Sequence, residues 1–147
     1  MAHAVTWFQI SGPDGTKLES FYKKIFKWKG GPDPSGTMMM VKPEKGGIAG
    51  GIGKSMNGEP SVTVYVDCDD IEGCLENIEE AGGRKAMDPM DLPAGMGRIA
   101  GFLDPEGNWV GLWEQGKPPK KAAKKAAKSA KKAAKKTKKA AKKAKKR

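Results

Sequence analysis

The sequence predicts an α+β domain over residues 1–116, built as two successive β-α-β-β-β units, and three observations carry that prediction. Short β-rich runs bounded by Gly, Pro and Asp dominate this stretch. Only two segments place apolar residues at helical spacing, and the order strand, helix, strands occurs twice. Helices this few can cover only one face of a mostly β domain.

Val5–Ile10 opens the first unit and runs into the turn cluster Ser11-Gly12-Pro13-Asp14-Gly15. Leu18, Phe21, Tyr22, Ile25 and Phe26 then share one helical face, and Gly30-Gly31-Pro32 stops that helix. Thr37–Val41 and Ile48–Ile52 read as short strands. The second unit starts at Val62–Asp67. Asp69-Asp70 can cap a helix whose apolar face is Ile71, Cys74, Leu75 and Ile78, and Ala81-Gly82-Gly83 ends it. Arg84–Met87, Arg98–Leu103 and Trp109–Trp113 follow as strands. Asp104-Pro105-Glu106-Gly107-Asn108 joins the last two as a hairpin, since Pro presets the turn dihedral and Gly accepts positive φ.

Charge divides the chain. Of 147 residues with a formal net charge of +11, residues 117–147 hold 16 Lys, one Arg and no acid, a charge of +17. Residues 1–116 hold 11 basic residues against all 17 acids, a charge of −6. Every Trp, Phe, Tyr, Val, Ile and Leu precedes position 117, so the tail has nothing with which to build a core. Cys68, Cys74 and the one histidine, His3, cannot complete a four-ligand zinc site, and the two thiols read as buried structural cysteines in a reducing compartment. No apolar run approaches the roughly 20 residues of a membrane span. Met1-Ala2-His3-Ala4-Val5 carries no secretory pattern, so the expected location is cytoplasmic, or at the nucleoid if the tail sits on DNA.

Four pieces in order carry a family resemblance: Val5-Thr6-Trp7-Phe8-Gln9-Ile10, the helical Phe21-Tyr22 leading to Phe26-Lys27-Trp28, Ile78–Gly83, and Phe102–Asn108 leading to Gly111-Leu112-Trp113-Glu114. Residues 4–115 thereby resemble the vicinal oxygen chelate superfamily, the fold of glyoxalases, bleomycin-resistance proteins and related dioxygenases. The resemblance implies paired βαβββ units whose curved sheets enclose a cup. It also implies a divalent metal there that chelates substrate oxygens. The ligand positions it implies fall on Trp7, Gly50–Gly51, Thr63 and Gly111, none of which offers a carboxylate, imidazole or thiolate. The expectation is a domain with no metal and no other cofactor.

Strand parity points the same way. Phe8 and Ile10, Val62, Val64 and Val66, and Val110 and Leu112 form apolar sets suited to packing under helices. The opposite face then carries Trp7 and Gln9, Thr63, Tyr65 and Asp67, and Trp109, Gly111 and Trp113. The family resemblance implies that this face lines the cup, which makes Trp7, Gln9, Thr63, Tyr65 and Trp113 the candidate ligand-binding residues. Aromatic walls with sparse neutral polar groups make a small-molecule pocket. No imidazole base or exposed thiol nucleophile joins them, so no catalytic residue is assigned. Two readings of function follow. The favoured one is a metal-free binding domain for an unidentified small molecule. The alternative is a glyoxalase- or dioxygenase-type enzyme, a lyase or relative, with an unidentified active site. The fold forms cups within one chain or across a homodimer, and both arrangements stay open.

Three further motifs read as structure. Gly53-Lys54-Ser55 lacks the preceding glycine of a phosphate loop, because Ile48 stands there. Met38-Met39-Met40 reads as core packing. The acids Asp67, Asp69, Asp70, Glu72, Glu76, Glu79 and Glu80 read as a solvated helix face.

The tail repeats Ala-Lys-Lys-Ala-Ala-Lys-Lys every seven residues from Ala123 and resembles the lysine-alanine tails of linker histones and of some bacterial nucleoid proteins. Lysines at i,i+4 repel, so the free tail is expected to be disordered and to become helical only when neutralised. Its partner is expected to be DNA or another polyanion. The binding residues are Lys120, Lys121, Lys124, Lys125, Lys128, Lys131, Lys132, Lys135, Lys136, Lys138, Lys139, Lys142 and Lys143. Phosphate contacts position without reading bases, so binding should show little sequence preference. With about half of the tail charges engaged, the slope of log affinity against log salt should be on the order of −7 on duplex DNA. A salt series with the full chain and with residues 1–116 checks this. The full chain should show the slope and the truncated one should not bind.

Overall fold

The computed structural model describes residues 2–116, and the tail lysines lie outside the described residues. The expected α+β architecture is present as two β-α-β-β-β units sharing one open, curved sheet. The first unit comprises β1 (Val5–Gly12), α1 (Gly15–Phe26), β2 (Gly30–Pro32), β3 (Met38–Val41) and β4 (Ala49–Lys54). The second comprises β5 (Ser61–Asp67), α2 (Ile71–Glu80), β6 (Arg84–Asp91), β7 (Gly97–Leu103) and β8 (Trp109–Gln115). The strand order is β2-β3-β4-β1-β5-β8-β7-β6. Each unit closes on itself by a parallel pair, β1 with β4 and β5 with β8, and the units join through antiparallel β1 and β5.

Local chemistry sets the helix ends. Asp14 caps α1, its Oδ1 accepting from Lys17 N–H at 3.0 Å, and Asp70 caps α2, accepting from Gly73 N–H at 3.2 Å. α2 ends as its glycines predict, with Gly82 at φ +91°. α1 ends differently. Lys27, not a glycine, takes the left-handed conformation at φ 57°, and its N–H reaches Lys23 O. Gly30-Gly31-Pro32, read from sequence as a helix stop, is instead the edge strand β2. Its proline sits where a missing N–H is tolerated. In the β7–β8 hairpin Asp104 accepts from Glu106 N–H, Asn108 N–H and Asn108 Nδ2, at 3.0, 2.9 and 2.8 Å.

Both helices lie on one face of the sheet, over two separate cores. Under α1, Met39, Val41 and Ile52 are buried, with Phe8, Ile10, Leu18, Tyr22 and Trp28 against them. Under α2, Cys68, Ile71, Leu75, Ala100 and Leu112 are buried, with Val66, Cys74, Ile78 and Phe102 against them. The parity expectation holds for Phe8, Ile10, Val66 and Leu112. Val62 and Val64 share their face yet stay 74% and 37% exposed, because β5 lies between the strands that the two helices cover. Phe21, Ile25 and Phe26 are also more than half exposed, so only part of the apolar stripe of α1 meets the sheet.

Ile71 and Ile52 are fully buried, one in each core. Ile71→Ala and Ile52→Ala should each cost about 2–4 kcal/mol, and the double variant close to their sum, since the clusters share no residue. Met56→Ala, at a fully exposed position, should change stability by less than about 0.5 kcal/mol. Urea unfolding of the four variants checks both statements.

Candidate ligand-binding face

The site is the sheet face turned away from both helices, and strand register assembles it. One row across the strands runs Gly101, Gly111, Tyr65, Trp7 and Ala49. The next holds Thr63, Gln9, Gly51, Met40 and Gly31, and a further row pairs Asp67 with Trp113 and Ile99. Trp7, Gln9, Thr63, Tyr65 and Trp113 therefore stand on one face, over β1, β5 and β8. Trp109 joins them. It is displaced one step from Tyr65, and their rings meet edge to face at 6.0 Å. The methionine triplet divides, with Met39 in the core and Met38 and Met40 on the aromatic face.

Three rings on this face are seated over glycines of neighbouring strands. A methyl group added at Gly111 would lie 2.3 Å from Tyr65 Cδ1, and one at Gly101 2.2 Å from Trp109 Cζ2. One at Gly51 would lie 2.6 Å from Met38 Sδ and 3.0 Å from Trp7 Cζ2. Glycine is required here by close approach, since φ is positive at none of the three. Two of the positions that the family resemblance assigns to metal ligands, Gly51 and Gly111, are thus filled by neighbouring rings. The other two carry an indole and a hydroxyl. Thr63 Oγ1 donates to Trp109 O at 2.8 Å. This donor set does not fit a divalent ion.

The polar groups are few and held in place. Gln9 Nε2 donates to Ser11 Oγ at 3.3 Å, Trp113 Nε1 to Met96 O at 2.9 Å, and Gln115 Nε2 to Asp67 Oδ2 at 3.2 Å. Burial raises the Tyr65 phenol above its ordinary range, so it stays neutral. Burial, with Cys74 beside it, pushes the Cys68 thiol up to about 12, and Cys68 lies in the α2 core on the far side of the sheet. Neither group is ionised near neutral pH. The face can stack against flat apolar surface and offer isolated hydrogen bonds. It holds no activated nucleophile.

Other features of the surface are explained by their own partners. Asp70, Glu72 and Glu114 bring carboxylate oxygens within 4.8 Å of one another. Arg98 binds Glu72 through both terminal nitrogens, at 3.1 and 2.5 Å, and lies 3.8 Å from Glu114. Glu114 also accepts from Ile71 N–H at the start of α2, and the Glu72 carboxyl is held below its ordinary value by Arg98. Two depressions, of about 610 and 450 Å³, lie near the N-terminus of α1 rather than on the aromatic face. The larger is lined by glycines, by Met38, Met39 and Ile52, and by Glu19 and Lys23, which pair with each other. It has no aromatic wall. No helix among the described residues is long and apolar enough to cross a membrane.

If the rings fix the face, Gly111→Ala should destabilise the domain by about 1–3 kcal/mol through overpacking. Adding Tyr65→Ala should recover part of that loss, because the colliding ring is gone. Unfolding free energies of the two single variants and the double variant check the coupling.

Comparison with known proteins agrees with the architecture. The family model for the Glyoxalase/Bleomycin resistance protein/Dioxygenase superfamily matches residues 3–112. The anthracycline biosynthesis protein DnrV of Streptomyces peucetius is 29% identical over 131 residues, covering 77% of this chain and 47% of that protein. The chain spans about half the length of the curated relatives it matches. Among solved structures, methylmalonyl-CoA epimerase from Mycobacterium tuberculosis superimposes with a TM-score of 0.58 at 13% identity, over 81% of this chain and 91% of that one. A glyoxalase/bleomycin resistance protein/dioxygenase superfamily member from Vibrio splendidus 12B01 gives 0.54 at 14% identity, over 78% and 100%. At such identities the likeness is one of fold. With its strand order, its two helices on one face and three quarters of its length matched by the family model, the chain belongs to the Glyoxalase/Bleomycin resistance protein/Dioxygenase superfamily.

Proposed function

We propose that this domain binds a planar, largely uncharged aromatic molecule on the face lined by Trp7, Gln9, Thr63, Tyr65 and Trp113, without a divalent metal. In the same reading, the tail from Lys117 to Arg147 holds the domain on DNA or another polyanion. One observation carries the ligand reading: Trp7, Tyr65 and Trp109 pack closely against cross-strand glycines, which gives this face aromatic walls. Stacking on such walls favours extended π-systems. The name of the relative DnrV points to anthracyclines, which are planar polycyclic aromatics. The charge division supports the tether, since the −6 domain is repelled by phosphate and the +17 tail is attracted.

The test is a titration of tryptophan fluorescence with a dihydroxyanthraquinone, in the presence of a chelator. Saturable quenching is expected. Trp7→Ala should weaken binding about tenfold, corresponding to about 1–1.5 kcal/mol for one lost ring contact. Ni²⁺ or Mn²⁺ should leave the melting temperature unchanged, because only an ion bound to the folded state stabilises it. A saturable rise of several degrees with either ion would overturn the metal-free reading. Recovery of a chemically altered anthraquinone after incubation would place catalysis on this face instead.

A further inference from the structure

Of the described strand residues that register places on the aromatic face, Asp67 is the one acid and Arg84 the one base. They stand at opposite ends. Asp67 pairs in register with Trp113, whereas Arg84 lies opposite Leu103, which lies opposite Trp109. Elsewhere on the domain carboxylates are matched by structure. Glu19 pairs with Lys23, Asp88 with Lys85 and Glu72 with Arg98, while Asp14 and Asp70 cap helices. Asp67 has no such match. Its Oδ2 accepts from Gln115 Nε2 at 3.2 Å, and among the described residues no cation pairs with it and no donor reaches Oδ1. His3 lies close, but its Nδ1 is 2.9 Å from the backbone oxygen of Asp67.

An open carboxylate oxygen at the rim of an aromatic wall is a charge-assisted acceptor for an ammonium group. The wall favours the same cation, because ring faces carry negative potential. Asp67 is half-buried, so water screens such a pair less than it screens a fully exposed one. Reach sets the shape of the ligand. The row that holds Trp7 and Tyr65 lies two residues along β5 from Asp67, about 7 Å at a rise of roughly 3.3 Å per residue. A ring system over that row reaches Asp67 through a short arm. Resting on the aromatic-ligand reading of this face, we infer that its ligands carry a protonated amine on a short arm beside the planar rings, and that Asp67 selects them by pairing with that amine. The site is then specific for cationic aromatics rather than for flat apolar molecules in general.

Paired probes of one size test the selection: a dihydroxyanthraquinone with an aminoethylamino arm, and one with a hydroxyethylamino arm. Each is titrated into the nuclease-treated full chain at about 0.15 M salt, where fields beyond about 8 Å are largely screened. By tryptophan quenching the amine should bind about tenfold tighter, since a hydrogen bond between ions outweighs a neutral one. In Asp67→Asn the two affinities should converge, chiefly through loss at the amine. Asn keeps the shape of Asp and the acceptor that Gln115 uses, so this variant should fold. Glu76→Gln removes the same charge from α2, across the sheet, and should keep the preference. Equal affinity of the wild type for both probes would overturn the inference and leave the aromatic face standing as a binding surface. So would a preference that survives Asp67→Asn, or one that Glu76→Gln also removes. No binding of either probe would overturn the ligand reading of the face, and the selection with it.

Discussion

The structure depends on aromatic rings packed closely against glycines of the adjacent strand. Tyr65 covers Gly111, Trp109 covers Gly101 and Trp7 covers Gly51. Each pair works only because glycine leaves the room that a Cβ would take. The rings are therefore fixed by backbone approach rather than by side chains below them. Ring carbons of Tyr65 at Gly111, and Met38 Sδ with Trp7 at Gly51, occupy the space a larger side chain would need. On the other side of the sheet Phe8 covers Gly50 in the same way, so the glycine-rich β4 serves both faces at once.

A second constraint is the separation of the cores. Each unit packs its own helix on its own three or four strands, and β1 with β5 is the seam. Burial on the helix side is thus densest away from the seam and thinnest above it. The exposed Val62 and Val64 and the aromatic face are on opposite surfaces of the same central strands. Charge is partitioned as sharply. Twelve of the domain's 17 acids lie between Ser61 and Gln115, and the densest run of cationic residues follows Gly116.

Much of this was legible in the sequence. The repeated strand-helix-strands order gave both units, and Asp14, Asp70 and the Asp104–Asn108 turn act as their residue types predict. Side-chain alternation was enough to separate Phe8 and Ile10 from Trp7 and Gln9. Register was not legible. No local signal says that Tyr65 lies opposite Gly111 or that Trp7 reaches Gly51, because those pairs join residues far apart in the chain. β2 was hidden because Gly30-Gly31-Pro32 has the composition of a breaker, and only pairing with β3 makes it a strand. The exposure of Val62 and Val64 was hidden too, since alternation tells which face a residue is on but not whether a helix lies above it.

The central claim is that the glycine-seated aromatic face is where a flat ligand binds, and the four tryptophans report on it directly. Trp7, Trp109 and Trp113 lie on that face. Trp28 lies on the helix side, stacked on Tyr22 at 5.4 Å and 7°, and serves as an internal control. A ¹H–¹⁵N spectrum of the indole N–H groups, recorded while a dihydroxyanthraquinone is added, separates the two sides of the sheet. The account predicts ring-current shifts at Trp7 and Trp113 with Trp28 unmoved. A shift confined to Trp28, with Trp7 and Trp113 unchanged, would contradict it.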